Sequence, residues 1–310
     1  MNIYQILAEN SRQSPLYAFI LSLFLYLIGA IVLLPLFIAI LSLLTGIGLE
    51  TIQVILGGEM EGTTKELAVF RSIQGANQIL SWGFAAVVMA YLLGNPRDEL
   101  RLRLPKVPVA LFPILIIILS GPLVQGTAFD AESFRLPSFL TDLESWAHAR
   151  EIQSQETLMM VLTAEGLGPL LFNICVFALL PAFCEEFFFR GYLQHLFQKA
   201  MNPHLAIWLS AFLFSFIHLQ FYGFFPRLIL GALLGYFVYA SASLIPAIIA
   251  HFCFNFFSIV LVKVAQSQNL LSPEMLEGQV DIPIYLILFS LLSTILLLIY
   301  YFRLSQHSHE

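Results

Sequence analysis

The sequence predicts a single all-α membrane domain over residues 1–310: a polytopic bundle of about eight transmembrane helices with an interfacial helix in the 128–160 segment. Three observations carry this. Hydrophobic residues make up 59% of the 310 positions and charged residues 11%, against about 25% charged in an ordinary soluble domain. The mean hydropathy of +0.84 is more than a water-facing surface tolerates. Apolar runs close to or above the ~20 residues a bilayer crossing requires recur along the chain. This composition excludes a soluble enzyme, a disordered chain and a secreted disulfide scaffold. With 14 basic and 20 acidic residues and a net charge of −6, nucleic acid is excluded as a partner, and the lipid bilayer is implied as one. Cys175, Cys184 and Cys253 all sit in apolar runs. An odd number at membrane depth fits buried free thiols better than a disulfide framework.

The elements follow in order. The first run, Leu16 to Leu49, exceeds one span, and Gly29 and Pro35 inside it allow a kink or a strong tilt. It is too long, and lacks the basic leader, for a cleaved signal peptide, so a retained span is expected. Residues 50–66, with Glu50, Glu59, Glu61 and the Gly57-Gly58 pair, read as a loop. A second span covers about 68–94 and stops at Gly94-Asn95-Pro96. A basic stretch with Arg97, Arg101, Arg103 and Lys106 precedes a third span over about 107–127. In the polar 128–160 segment, Thr141 and Glu144 have capping-box spacing, and Leu140, Leu143 and Trp146 share a face suited to the headgroup region. Further spans read at about 167–189, 203–221, 225–241, 243–265 and 282–302. Eight crossings put both termini on the side of the basic 97–106 loop, which the lysine and arginine bias assigns to the cytoplasm.

Ionisable residues inside spans are the informative ones, since each costs about 2.5–3.5 kcal/mol at a helix centre. Four places carry polar groups at that depth. In Pro181–Tyr192, Glu185 and Glu186 are adjacent and Arg190 follows. Glu186 and Arg190 are four apart and share a helical face, which suits an ion pair. Glu185 points about 100° away and has no local partner. A desolvated carboxylate of that kind is a competent general base, and the bland alternative is that both acids mark a helix end at the interface. His218 closes Phe212-Leu-Phe-Ser-Phe-Ile-His218. His251 and Asn255 lie four apart on one face, divided by Phe-Cys-Phe, so both must turn inward, for chemistry or as interhelical glue. Arg71, Gln74, Gln78 and Ser81 form a stripe, with Asn77 beside it, that lines a wet cavity or bonds helices together. Gly231 and Gly235 make a GxxxG step that lets helices approach closely, bringing His218 and His251 nearer each other. His148, His195 and His204 receive no role, and His307 and His309 read as a solvated tail.

One unpaired glutamate, two histidines and an asparagine on three separate helices form the inventory for peptide hydrolysis: a base for water, donors for the oxyanion and a proton for the leaving amine. Glu185 with His218 would activate water, and His251 with Asn255 would hold the oxyanion. In the alternative arrangement Glu185, His218 and His251 ligate one divalent metal such as zinc, with a fourth position open to water. The HExxH zinc motif is absent.

The three stretches EEFFFR (185–190), FSFIH ending at His218, and HFCFN (251–255) match EExxxR, FxxxH and HxxxN in order. In this the chain resembles the CPBP family of intramembrane proteases, which includes type II CAAX prenyl endopeptidases and bacteriocin-processing or self-immunity proteins. The resemblance covers about residues 167–260. It implies a helical membrane protease with a buried chamber, Glu185 as the essential acid, His218, His251 and Asn255 completing the site, and Glu186 and Arg190 in support. The metal stays open, since such enzymes are described both as metal-dependent and as glutamate proteases. The implied partner is a peptide or protein substrate entering from the membrane, and a bacterial plasma membrane is the expected location. Two rival readings remain. A non-proteolytic interaction or immunity protein on the same scaffold would keep its function without Glu185. A proton-coupled transporter would show flux in liposomes.

Overall fold

The computed structural model describes residues 3–128, 137–270 and 282–306. All regular structure among them is helical. Eleven principal helices follow one another: α1 (Ile3–Gln13), α2 (Pro15–Thr45), α3 (Leu49–Gly57), α4 (Thr64–Leu93), α5 (Val107–Gln125), α6 (Thr141–Thr163), α7 (Leu167–Ala200), α8 (Pro203–Phe216), α9 (Phe224–Ser241), α10 (Ile245–Ser267) and α11 (Ile284–Gln306). Seven of these, α2, α4, α5, α7, α9, α10 and α11, are long and apolar enough to cross a bilayer. The eighth expected span shortens to α8, whose 14 residues extend only ~21 Å at 1.5 Å per residue.

α7 is the hub. It packs against α2 and α4 on one side and against α8, α9 and α10 on the other, while α5 and α11 close the far flank. Leucines and phenylalanines of α2 and α11, such as Leu43, Leu44, Phe289 and Leu292, point away from all protein, as lipid-facing side chains do. Arg12 donates to the Leu93 carbonyl, Leu244 N–H to the Arg101 carbonyl, and the Phe302 ring abuts Tyr236 and Tyr239. Both ends of the described chain and the 97–106 loop are thus tied together at one end of the bundle.

Three expectations are corrected. Residues 50–66 are not all loop: Leu49–Gly57 is helical because Ile52 and Ile55 bury completely against Phe70, Ile73 and Val161, and Gly58, at φ +84°, ends the helix in the left-handed conformation. The capping box at Thr141 does not form. That hydroxyl instead donates back to the Ser138 carbonyl, and α6 starts without a side-chain cap. A capping box does open α4, where Thr63 and Glu66 satisfy each other's backbone N–H groups. The fourth span does not stop near 189 but runs on to Ala200, so Glu185 and Glu186 lie inside a helix, not at its end.

α2, α4 and α7 each contain wide π-helical turns: Gly29–Leu33 in α2, Gln78–Gly83 in α4, Ile174–Leu179 and Phe187–Leu193 in α7. Two of them have a local cause. Pro35 and Pro181 lack an N–H and crowd the carbonyl four residues earlier, and the π turn just before each proline absorbs the mismatch. At Gly29 α2 and α4 meet so closely that a Cβ would overlap the Leu80 carbonyl oxygen.

The GxxxG step of α9 does more than permit approach. The Gly231 carbonyl accepts from Arg190 at 3.2 Å and the Gly235 carbonyl from Gln194 at 3.1 Å, so two buried donors of α7 are satisfied by α9 backbone. A Cβ at Gly235 would fall 2.6 Å from Gln194 Oε1 and 2.8 Å from Ile207 Cγ2. Gly235→Leu is accordingly expected to destabilise the bundle by about 1–3 kcal/mol through overpacking, read as a lowered unfolding midpoint in detergent. An unchanged midpoint would show that α8 and α9 can separate freely.

Candidate active site

Glu185 and Glu186 stand in the middle of α7, between the two π turns. They point to different neighbours because successive helical residues diverge by about 100°. Glu186 and Arg190 are both 0% exposed. Arg190 Nη1 donates to Glu186 Oε1 at 2.7 Å, so the ion pair expected from the spacing is formed. Arg190 also donates to the Gly231 carbonyl and lies 4.3 Å from the Phe214 ring centroid, a cation–π contact that strengthens when water is excluded.

His251, 3% exposed in α10, is held by the same carboxylate: its Nδ1 lies 2.8 Å from Glu186 Oε1. A carboxylate accepts only, so Nδ1 carries the proton and donates. This leaves Nε2 for other work, and it faces Glu185 Oε2 at 3.9 Å. That separation is too long for a direct hydrogen bond and short enough for both atoms to hold one water. The other Glu185 oxygen accepts from Gln78 Nε2 at 2.8 Å. A continuous chain results: Arg190 to Glu186 to His251, then across the gap to Glu185 and Gln78.

His218 sits in the turn just past α8. Its Nδ1 is 2.7 Å from the Phe214 carbonyl oxygen, which fixes the tautomer with Nε2 as the free acceptor. The ring also packs edge-on against Phe214 at 5.1 Å, and Phe214 in turn meets His251 at 6.1 Å. Glu185, His251 and Arg227 are its electrostatic neighbours. His218 is solvent-accessible, and that surface lines a cavity of about 530 Å³ whose walls include Gln74, Phe177, Trp146, Ser154 and Gln220. Asn255, one turn beyond His251, is half-buried.

The four expected site residues thus divide. Glu185 and His251 face each other, His218 meets Phe214, whose ring also meets His251, and Asn255 stands one turn beyond His251, half-buried. Glu186 is more than the partner of Arg190, since it also orients His251. Two contributors were missed. Gln78 was legible only as part of a polar stripe, and Phe214 only as the first letter of FxxxH. The residues of that stripe play different parts. Arg71 donates to Asn173 at 2.6 Å and to the Val161 carbonyl at 2.8 Å, Gln74 lines the cavity, Gln78 bonds Glu185, and Ser81 bonds Asn77 in its own helix.

A metal fits this arrangement poorly. Among the described residues no three His, Cys, Asp or Glu side chains converge as a metal would require. Glu185, His218 and His251 are the donors expected for zinc; of these, His251 would offer Nε2, its Nδ1 being donated to Glu186.

Residues 167–257 match the family model of Rce1-like type II CAAX prenyl endopeptidases. This bears out the resemblance carried by the three motifs, all of which fall inside the matched stretch. No curated protein and no solved structure matches the chain.

Proposed function

We propose that the protein is an intramembrane endopeptidase in which Glu185 activates the water that attacks the scissile carbonyl. The observation that carries this reading is the 3.9 Å gap between Glu185 Oε2 and His251 Nε2, with each side chain anchored from behind, Glu185 by Gln78 and His251 by Glu186.

Water held in that gap gives one proton to Glu185 as its oxygen attacks the carbonyl carbon. His218 Nε2, the acceptor left free by the Phe214 contact, orients the same water. His251, through Nε2, and the Asn255 amide serve the oxyanion as charge develops on it. Glu185 then returns its proton to the amine nitrogen as the C–N bond breaks, leaving a free amine and a carboxylic acid. Glu186 accepts from His251 Nδ1 and orients the ring, and Arg190 pairs with Glu186 from the other side. The substrate is a membrane-associated peptide or protein that reaches the site from the bilayer. The bundle end carrying Arg97, Arg101, Arg103 and Lys106 is assigned to the cytoplasm.

The test is to compare newly formed peptide termini, by mass spectrometry, in membranes carrying the wild-type protein or Glu185→Gln at equal abundance. Termini that appear with wild type alone support the reading. Identical terminal profiles, with binding or protection retained in the variant, would favour a non-proteolytic interaction protein.

A further inference from the structure

α6 lies across the end of the bundle on which His218 opens, and its two halves are held very differently. The C-terminal end is pinned. The Val161 carbonyl accepts from Arg71 and Asn173, the Thr163 carbonyl from Gln266, and the Ala164 carbonyl from Lys263, at 2.8–3.0 Å. These carbonyls are the orphan acceptors at a helix end, where cations are also favoured by the helix dipole. Val161 and Leu162 are buried there. The N-terminal ten residues are mostly exposed.

Between these halves α6 is tied at separate points, among them His148, whose ring stands edge-on to Tyr222 at 5.9 Å. Gln153 donates to the Gly57 carbonyl. Ser154 accepts from Gln220 Nε2 at 2.8 Å. Gln220 is two residues past His218, and Arg227 grips it twice: Nη1 donates to its side-chain oxygen and Nη2 to its backbone carbonyl, both at 2.7 Å. Leu219 between them holds φ +52°, a conformation costly for a leucine and kept by what surrounds it. Ser215 donating to the Phe224 carbonyl at 2.6 Å closes the same loop from behind. Glu151 of α6, itself 7% exposed, faces Arg227 from across a second cavity of about 240 Å³ that Gln155 and Tyr222 also line. Glu151 Oε2 and Arg227 Nε are both buried without a hydrogen-bond partner, so this couple is incompletely satisfied as it stands.

We propose that Arg227 is a positioning residue: through Gln220 it sets the loop that carries His218, and through the Gln220–Ser154 bond it latches α6 over the chamber in the same contact. α6 swings about its pinned C-terminal end, and substrate entry requires the latch to release. The half of the proposal that concerns His218 rests on the proteolytic reading. The half that concerns α6 does not.

The test uses the full chain in detergent or nanodiscs, with Arg227→Met, Arg227→Lys and Ser154→Ala, read by amide hydrogen exchange and by cleavage kinetics. In Arg227→Met, exchange over residues 141–155 is expected to quicken by about tenfold or more, the scale of one lost charged hydrogen bond, while α9 and α10 keep wild-type protection. Arg227→Lys, which retains the charge and loses the fork, should fall between. With a cleavable substrate, Arg227→Met should lower kcat by about tenfold with KM within about twofold, as expected when a residue orients another. Wild-type exchange across 141–155 in Arg227→Met would overturn the latch, and an unchanged kcat would overturn the link to His218. Should Arg227→Met fail to fold, Ser154→Ala removes only the α6 end of the relay and gives the same exchange test. If the wild-type protein cleaves nothing, the proteolytic reading fails, and the exchange data still decide the latch.

Discussion

Glu185→Gln is expected to lower kcat for a reconstituted substrate by about 10²–10⁴-fold, the usual contribution of a positioned acid–base group. Glutamine preserves the shape and can still accept from Gln78, whose amide donates to Glu185 Oε1, but it cannot take a proton from water. Glu185 is 6% exposed and has no ion pair with Arg190, which is committed to Glu186. The substitution should therefore leave the unfolding midpoint near that of wild type. Loss of activity with stability intact identifies a chemical role. Activity within about tenfold of wild type would remove Glu185 from the reaction, since that is below what acid–base catalysis supplies.

The largest effect on stability is expected at Arg190. Arg190→Ala leaves the Glu186 carboxylate fully buried with only His251 against it. It also strips a donor from the Gly231 carbonyl and a cation from the face of Phe214. Breaking a buried pair from one side costs about 3–5 kcal/mol, much of it the penalty of the charge left behind. Denaturant unfolding in detergent should read a loss of that order. Adding Glu186→Gln removes the stranded charge, so the double variant should be more stable than Arg190→Ala alone. If the double variant loses the sum of the two single effects, the two side chains act independently and the pair is not the source of the cost.

The sequence disclosed these two residues unequally. Glu186 and Arg190 are four apart on one helix, so their pairing follows from helical geometry alone. The partner of Glu185 lies 107 positions away on another helix, and nothing in the local pattern of Gln78 separates it from Gln74 or Ser81. Its significance depends on how α4 and α7 are set against each other. The same limit explains the glycines of α9. Close approach was legible from their spacing, whereas the use of their carbonyls as acceptors depends on donors from α7. Thr141 failed in the opposite way, since its spacing to Glu144 suited a capping box and the chain preceding it took a 3-10 turn instead. The bundle class, most span positions and the three motif stretches were readable because composition, length and periodicity are local properties.

The family match spans residues 167–257, yet the hydrogen bond on Glu185 comes from Gln78, outside it. The matched stretch is therefore not a transplantable cassette. A chimera that exchanged residues 167–257 for those of a relative would set a foreign glutamate against a native amide, and two parents each active alone could yield a crippled hybrid. Exchanging the turn of helix around Gln78 together with that stretch is the graft that keeps host and donor in register.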